Sequence, residues 1–233
     1  MKCVWEHNGE DSLLYSIDYI GAYTRGKDLH TAIQKMQAEK EAYTLWTKQT
    51  NRLDFTVEIV QEMNSTLQIS DADSDVLFDS EAVPLSPEEY VELKALVLKS
   101  ASDFYALYVS IPNKHESCLP QRKTFYGSVP RTAQEMYEHT KNVNAYYFGE
   151  IGIDADNEGT IYDCRKRGFA LLEQTKDFLE SPVIEGSCSE LWSLRKMMRR
   201  FLWHDRIHAK AMYRMSVKTF GRDIPENPFC FTI

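Results

Sequence analysis

The spacing of hydrophobic residues changes character near residue 80 of this 233-residue chain. Before that point, apolar and polar residues alternate over short stretches separated by turn residues, which predicts strands. One helix interrupts them, because residues 29–46 carry apolar side chains three or four positions apart behind the capping residue Asp28. Strands are predicted over residues 2–7, 13–17, 20–24, 55–60 and 66–69. The pattern therefore predicts a small β-β-β-α domain, followed by two more strands, within residues 1–80.

From residue 86 onward the hydrophobic pattern is helical. Ser86, Pro87 and Glu89 form a strong start signal, because the serine caps the helix, proline suits its first position and the glutamate completes a capping box. Helices are predicted over residues 87–111, 131–149, 162–179 and 189–219. Four long helices with apolar stripes predict a four-helix bundle in residues 86–220. The predicted fold class is therefore α+β, with a small N-terminal β-β-β-α domain followed by an all-α four-helix bundle.

The overall charge and the cysteines narrow the function classes. A formal net charge of −8 argues against a nucleic-acid or membrane-surface binder, because both partners require a basic face. No stretch approaches the roughly 18 apolar residues that a membrane-spanning helix needs, and residues 1–7 lack the apolar run of a signal peptide. The five cysteines are odd in number and contain no CxxC pair, which favours reduced thiols in a cytoplasmic protein.

Two histidines in the last predicted helix are the main candidates for chemistry. His204 and His208 are four positions apart, so their side chains lie on one helix face with Cβ atoms about 5–6 Å apart. At about 100° per residue, both fall within the apolar stripe of that helix. Burying two imidazoles is unfavourable unless they are hydrogen-bonded or bind a metal ion. Such a pair also arises by chance, so two ordinary histidines remain the alternative.

A third histidine strengthens the metal hypothesis. His139 falls on the predicted apolar stripe of the helix over residues 131–149, together with Met136 and Val143. Helix bundles bind metals between facing helices, and three neutral imidazoles leave a coordination position open, which is typical of a reactive site. That position could activate a water or bind a thiolate or carboxylate substrate. The run from His204 to His208 is not an HExxH motif, which argues against peptidase chemistry.

Two charged residues lie one helical turn before the predicted ligands. Glu135 precedes His139 and could orient a ligand imidazole by a hydrogen bond. Arg200 precedes His204 and could hold an anionic group of a substrate. Each residue could equally lie at the edge of its stripe and reach solvent, so both interpretations stay open.

The second part of the chain, residues 86–220, resembles the DinB-like superfamily. The resemblance rests on the order of the four helices, on His139 within residues 135–140 and on His204 and His208 in the fourth helix. It implies a bundle that binds a divalent metal, usually zinc or nickel, through these three histidines. Members with known activity include transferases and isomerases that use low-molecular-weight thiols, and homodimers are frequent. The additional N-terminal domain is a departure from that pattern.

The first part, about residues 1–50, looks like a HicB-like domain. The resemblance rests on residues 20–29 and on the helix over residues 32–46 that follows them. Such domains resemble half of a double-stranded-RNA-binding fold, and in toxin–antitoxin pairs they bind a small toxin. No DNA-binding tail follows here, so the resemblance implies a dimerisation or partner-binding module.

These observations predict a cytoplasmic, metal-dependent enzyme that acts on a small molecule, either as a thiol-dependent transferase or as a hydrolase. The alternative is a non-enzymatic partner-binding protein, antitoxin-like or active in a stress response, in which the metal is structural or absent. The N-terminal unit and the acidic charge motivate this alternative. Nucleic-acid binding by the small domain is a third hypothesis, but its basic residues lack an interleaved basic–aromatic face.

Overall fold

The computed structural model describes residues 1–49, 55–124 and 127–232, and it confirms the mixed α+β class. The first part of the chain forms a four-stranded sheet and one helix. Its elements are β1 (Lys2–His7), β2 (Ser12–Ser16), β3 (Tyr23–Gly26), α1 (Leu29–Thr47) and β4 (Glu58–Asn64). The strand order is β3-β2-β1-β4, in which β4 runs parallel to β1 and the other pairs are antiparallel. Within the predicted first domain, residues 50–54 lie outside the described part.

Several strands differ from the predicted ones. The third strand begins at Tyr23 rather than residue 20, because a turn closed by the Ala22 N–H on the Tyr19 carbonyl, with Gly21 at φ +89°, precedes it. The strand predicted over residues 55–60 is partly confirmed by β4, which begins at Glu58 and continues to Asn64, whereas no strand forms over residues 66–69. Residues 66–69 instead lead into a short 3-10 helix, Ile69–Asp71. Apolar and polar residues also alternate where the chain leaves a sheet, so the pattern alone does not locate the ends of these strands.

The central strands β1 and β2 are covered on both faces. One face, with Cys3 and Leu14, packs against Ala32 and Met36 of α1. The opposite face packs against the segment that follows β4 and against a helix near the C-terminal end. The residues of this second cluster are Val4, Leu13, Tyr15, Ile69, Val76, Phe78 and Trp203. This explains why every residue of β2 is buried, since alternate side chains enter two different cores.

The second part of the chain is mainly helical. Its helices are α2 (Pro87–Ser110), α3 (Ala133–Gly149), α4 (Ile161–Leu172) and α5 (Leu194–Phe220). Two short strand pairs lie in the connections, β5 (Lys123–Thr124) with β6 (Gly127–Ser128) and β7 (Ile184–Glu185) with β8 (Leu191–Trp192). Each helix begins at a serine or threonine whose hydroxyl accepts a backbone N–H of the first turn. The predicted start of α2 behind Ser86 and Pro87 is confirmed, including its capping box.

Two of these helices are shorter than predicted. α4 ends at Leu172 rather than at residue 179, and the turn that follows contains Asp177 in the left-handed conformation, φ 53°. α5 begins at Leu194 rather than at residue 189, because Cys188 has φ 56° and residues 191–192 pair with β7. Ser193 then provides the cap. The α-helical spacing of apolar residues therefore continues through two segments whose backbone is not α-helical.

The helices pack around one large apolar cluster. α2 contacts α3, α4 and α5, and α3 contacts α4 and α5. α1 joins the cluster through Tyr43 and Trp46, so the N-terminal part and the helical part share a core. The turn at Gly21 lies so close to α5 that a Cβ there would be 2.5 Å from the Leu202 Cβ. Among the described residues, no helix combines the length and apolar character that crossing a membrane requires.

Candidate metal centre

α5 carries two of the three predicted ligands. It is 27 residues long, and His204 and His208 lie one turn apart near its middle. Because they are four positions apart, both imidazoles project toward α3. The third histidine, His139, lies on α3 two turns after the Thr132 cap. The two helices are held together beside the site by Tyr147, whose ring packs edge-on against Phe201 with centroids 5.2 Å apart.

The three histidines converge. The ring centroids of His204 and His208 are 4.4 Å apart, those of His139 and His208 4.6 Å, and those of His139 and His204 5.1 Å. Each ring offers one nitrogen such that all three nitrogens lie within 4.8 Å of one another. The planes are inclined by 39° to 69° rather than stacked, so the rings surround a common point. The described residues thus contain a three-histidine group that could hold a metal ion.

Burial differs across this three-histidine group. His204 is only 8% exposed, His208 is half-buried and His139 is exposed. The prediction that His139 lies on the buried stripe of α3 is wrong, because that stripe runs through Met136, Thr140 and Asn144, and His139 lies at its rim. The group is therefore buried on the α5 side and open to solvent along α3.

All three imidazoles favour the neutral form. Although the His139 side chain is partly exposed, desolvation of its ring by the packed helices lowers the pKa of His139, and burial lowers that of His208 to about 3 with a further contribution from His139. Burial also lowers the pKa of His204 well below its ordinary value, followed by the effects of His208, His139, Arg200 and Arg165. A neutral imidazole keeps a lone pair for a metal ion, so protons do not compete for these nitrogens near neutral pH.

One nitrogen of the group lacks a hydrogen-bond partner. The Nδ1 atom of His204 is buried and has no partner among the described residues. Leaving a buried polar atom unpaired costs about 1–3 kcal/mol, so such an atom in a native fold indicates a missing partner. The neighbouring imidazoles are neutral, so the group contains only nitrogen ligands and no anionic one. The donor set, nitrogen only, fits a borderline-soft divalent ion such as zinc, copper or nickel rather than calcium or magnesium.

The structure gives Glu135 a capping role. Its Oε2 atom accepts the backbone N–H of Arg131 at 2.8 Å and of Thr132 at 3.0 Å, and Thr132 in turn accepts the Glu135 N–H. These backbone hydrogen bonds lower the pKa of the Glu135 carboxyl. The Glu135 carboxylate thus accepts backbone N–H groups at the start of α3, and it makes no contact with His139 in the described part of the chain.

Arg200 is buried beside the group rather than exposed to a substrate. It is 9% exposed, and its Nη1 atom donates to the Ser74 carbonyl at 2.7 Å. Its guanidinium lies 4.8 Å from the Trp203 ring and 5.6 Å from the Tyr147 ring. The cation therefore links the segment before α2 to α5, and its charge contributes to the lowered pKa of His204.

Sequence reasoning missed the ion pairs that fix the rotation of α5. Asp205 accepts two hydrogen bonds from Arg165 of α4, at 2.6 and 3.2 Å, and both side chains are fully buried. Arg206 forms a buried ion pair with Glu39 of α1. One signal existed, because Arg165 falls on the apolar stripe of its helix with Ile161, Cys164, Gly168 and Leu172. A charged residue on such a stripe requires a buried partner.

Comparisons with protein families, with curated proteins and with solved structures found no match to this chain. The DinB-like and HicB-like resemblances therefore rest on the residues quoted above.

Proposed function

We propose that this protein is a metal-dependent enzyme whose divalent ion is held by His139, His204 and His208. The observation that carries the proposal is the convergence of three imidazole nitrogens within 4.8 Å, one of the rings having a buried, unpaired Nδ1 atom. A buried imidazole nitrogen without a hydrogen-bond partner has no structural purpose that an apolar residue would not serve better.

Zinc or nickel is the proposed ion. Imidazole donors suit both metals, and neither requires the oxygen ligands that calcium and magnesium prefer. We further propose that α2, α3, α4 and α5 form a four-helix bundle of the DinB-like type. This is supported by the contacts of α2 and α3 with both α4 and α5, and by the position of the histidines on two facing helices.

The site is proposed to act on an anionic small molecule. A divalent ion held by three neutral ligands would supply Lewis acidity and an uncompensated positive charge. The exposed rim at His139 gives a substrate access, whereas the buried side at His204 and Tyr147 excludes bulk water. The lowered pKa values keep the ligands unprotonated in the presence of substrate. A low-molecular-weight thiol, bound as its thiolate, suits such a site in a transferase, and an activated water suits it in a hydrolase.

Metal analysis of protein purified without an affinity tag tests the metal site. We expect about one equivalent of zinc or nickel in the native chain and in the His30→Gln variant, and little in His139→Gln or His204→Gln. His30 is the matched control, because it is an exposed histidine on α1 bonded to Gln34. Less than about a tenth of an equivalent, with stability unaffected by a chelator, would contradict the proposal.

Cobalt substitution tests the thiol. In the cobalt-loaded protein, binding of a low-molecular-weight thiol should add a sulfur-to-cobalt charge-transfer absorption in the near ultraviolet that titrates to saturation. If the thiol leaves the spectrum unchanged, the transferase hypothesis is excluded and the hydrolase hypothesis remains. Co-purification of a metal-free chain with a small basic protein would instead favour the non-enzymatic, antitoxin-like alternative.

The assembly and location are proposed from the resemblance. We propose a homodimer in the cytoplasm, and the free state of Cys3, Cys118, Cys164, Cys188 and Cys230 supports a reducing compartment. Light scattering on the eluting protein measures the mass, and a monomer across the working concentration range would contradict the dimer.

A further inference from the structure

A cavity lies beside α5 next to the proposed metal centre. It has a volume of about 420 Å³ and lies between β3, α1, the second half of α5 and the segment around Phe231. Ile207 and Ala211 line it and flank His208 in the sequence, but the three histidines do not line it. We refer to this cavity as the α1–α5 cleft. Its size falls within the range of about 300–1,000 Å³ that is typical of small-molecule sites.

The walls of the α1–α5 cleft are positively charged, although the whole chain has a formal net charge of −8. Its lining includes four cationic side chains and one carboxylate. The cations are Arg25, Lys35, Lys210 and Arg214, and the carboxylate is Glu39. A cluster of cations in an acidic protein is not explained by solubility, and a concave basic site concentrates anions.

The carboxylate in the cleft is already neutralised. Glu39 is buried and forms ion pairs with Arg206 beneath the cleft and with Lys210 at its wall. Burial alone would raise the pKa of this carboxyl, but the charges of Arg206 and Lys210 lower it overall. Glu39 therefore stays ionised and committed to two cations, and it does not offset the charge of the remaining walls.

Three cations remain with donors to spare. Arg25 donates through one guanidinium nitrogen to the Ser70 carbonyl, and Lys35 donates to the Arg25 carbonyl at 2.7 Å. Arg214 is exposed and has no hydrogen bond or ion pair to another side chain in the described ranges. A guanidinium has five N–H donors and an ammonium three, so each of these groups can still bind an anion. The arginines match the two-oxygen edge of a carboxylate or phosphate.

The cleft also has apolar lining residues, which we call its floor. They are small or aliphatic side chains and the ring of Phe231. The residues are Ala38, Ala42, Ala72, Ile207, Ala211 and Phe231. An inorganic anion alone would leave this surface in contact with water, whereas a ligand with an apolar body would cover it. Cationic walls over an apolar floor therefore select a molecule that is anionic at one end and apolar at the other.

We propose that the α1–α5 cleft binds a small anionic molecule that carries a carboxylate or phosphate group next to an apolar body. Arg25, Lys35 and Arg214 hold the anionic group, and the floor around Ala38 holds the apolar part. The cavity volume of about 420 Å³ fits a small molecule rather than a nucleic acid or a protein surface. This site is separate from the proposed metal centre and does not depend on it.

Calorimetric titration with phenyl phosphate tests the proposal, with inorganic phosphate, benzoate and phenol as comparison probes. Metal-free protein is used, so that the metal centre cannot bind the anion. We expect saturable binding of phenyl phosphate that is tighter than that of inorganic phosphate, and no binding of phenol. Benzoate distinguishes a carboxylate ligand from a phosphate one. The affinity should fall as the salt concentration rises, because exposed charges are screened.

Variants locate the binding. Arg214→Gln and Lys35→Gln should each weaken phenyl phosphate binding about tenfold, since each removes a charge-assisted hydrogen bond. Ala38→Phe should abolish it by filling the floor. Lys166→Gln is the matched control, because Lys166 is exposed on α4 outside the cleft, and it should leave the affinity unchanged.

Two outcomes would overturn the proposal. One is equal binding by the native chain, Arg214→Gln and Lys35→Gln, which would show that the anion binds elsewhere. The other is binding that His139→Gln abolishes while Arg214→Gln retains it, which would assign the anion to the histidines. If only the metal-site proposal is wrong, the purified protein contains no metal ion but still binds phenyl phosphate in the cleft.

Discussion

Two groups of buried polar side chains on α5 behave differently. Asp205 and Arg206 face α4 and α1, and each has a buried partner of opposite charge, Arg165 and Glu39. His204, the residue before them, lies beside the rings of His139, His208 and Tyr147, and it has no carboxylate partner in the described part of the chain. Buried charges with a dedicated counter-charge maintain the fold. Buried imidazoles without one are the group for which we propose a partner from outside the chain, a metal ion.

The largest expected effect is on the paired side of this comparison. Asp205→Asn removes one charge and leaves Arg165 buried without its counter-ion, which should lower the free energy of unfolding by about 3–5 kcal/mol. Urea denaturation followed by circular dichroism measures the loss. Glu138→Gln is the control, because its pair with Lys141 is partly exposed and should contribute less than about 1 kcal/mol. Equal losses in the two variants would show that the buried pair is not essential.

The next effect is a dependence of stability on pH that arises from the unpaired histidines. His208 has an ordinary pKa of 6.5 and a pKa of about 3 in the folded chain. Between these values the unfolded state binds more protons than the folded state, so stability is fully present above pH 6.5 and falls as the pH is lowered. The loss between pH 6.5 and about pH 4 should be of the order of 3 kcal/mol for this group in metal-free protein.

The control for the pH effect is His208→Gln, which should flatten the profile over the same range. Thermal unfolding at a series of pH values, with chelator present, supplies the data. A native profile that is no steeper than that of the variant would show that His208 is not held neutral by the fold.

Binding of a metal ion to the three histidines should stabilise the folded protein. Free zinc or nickel at about 100 times its dissociation constant should raise the free energy of unfolding by about 2.7 kcal/mol. The rise should vanish in His204→Gln and persist in His30→Gln. Differential scanning calorimetry with and without the ion measures it. Stabilisation of the same size in all three proteins would place the ion elsewhere.

The smallest effect distinguishes a cap from a site residue. Glu135→Ala should lower the free energy of unfolding by only about 0.5–1 kcal/mol, through the lost capping contacts at the start of α3. Because its carboxylate is committed to backbone N–H groups, metal affinity should stay the same. Thr132→Ala removes the reciprocal contact and should behave alike. A tenfold drop in metal affinity in Glu135→Ala alone would restore a role in orienting an imidazole.

The sequence predicted the parts of the fold that depend on local chemistry. The capped start of α2 at Ser86 and the helical spacing of His204 and His208 are properties of a few adjacent residues. The pairing of β4 with β1 is parallel and joins residues 56 or 57 positions apart, so no turn signal predicts it. The end of α4 and the start of α5 were also mispredicted, because the apolar spacing continued into segments whose backbone is not α-helical.

The candidate site was predictable in its members but not in its surroundings. His204 and His208 could be found from their spacing and helical phase, and His139 was named as the third member although the phase assigned to it was wrong. The exposed position of His139 depends on how α3 is rotated in the assembled core, and a stripe with both polar and apolar members does not fix that rotation. The partners of Asp205 and Arg206 lie 40 and 167 positions away in the chain, so they become visible only after folding.

The rim position of His139 has a kinetic consequence. α5 is fixed in rotation by ion pairs on two sides, so His204 and His208 keep their orientation whether or not an ion is bound. α3 supplies a single ligand, and that ligand lies at the surface. In the proposed metal site, His139 would therefore be the ligand that an ion arriving from solvent reaches first and a departing ion leaves last. Substitutions around His139 should change the rate of metal exchange, whereas substitutions around His204 should change the equilibrium affinity.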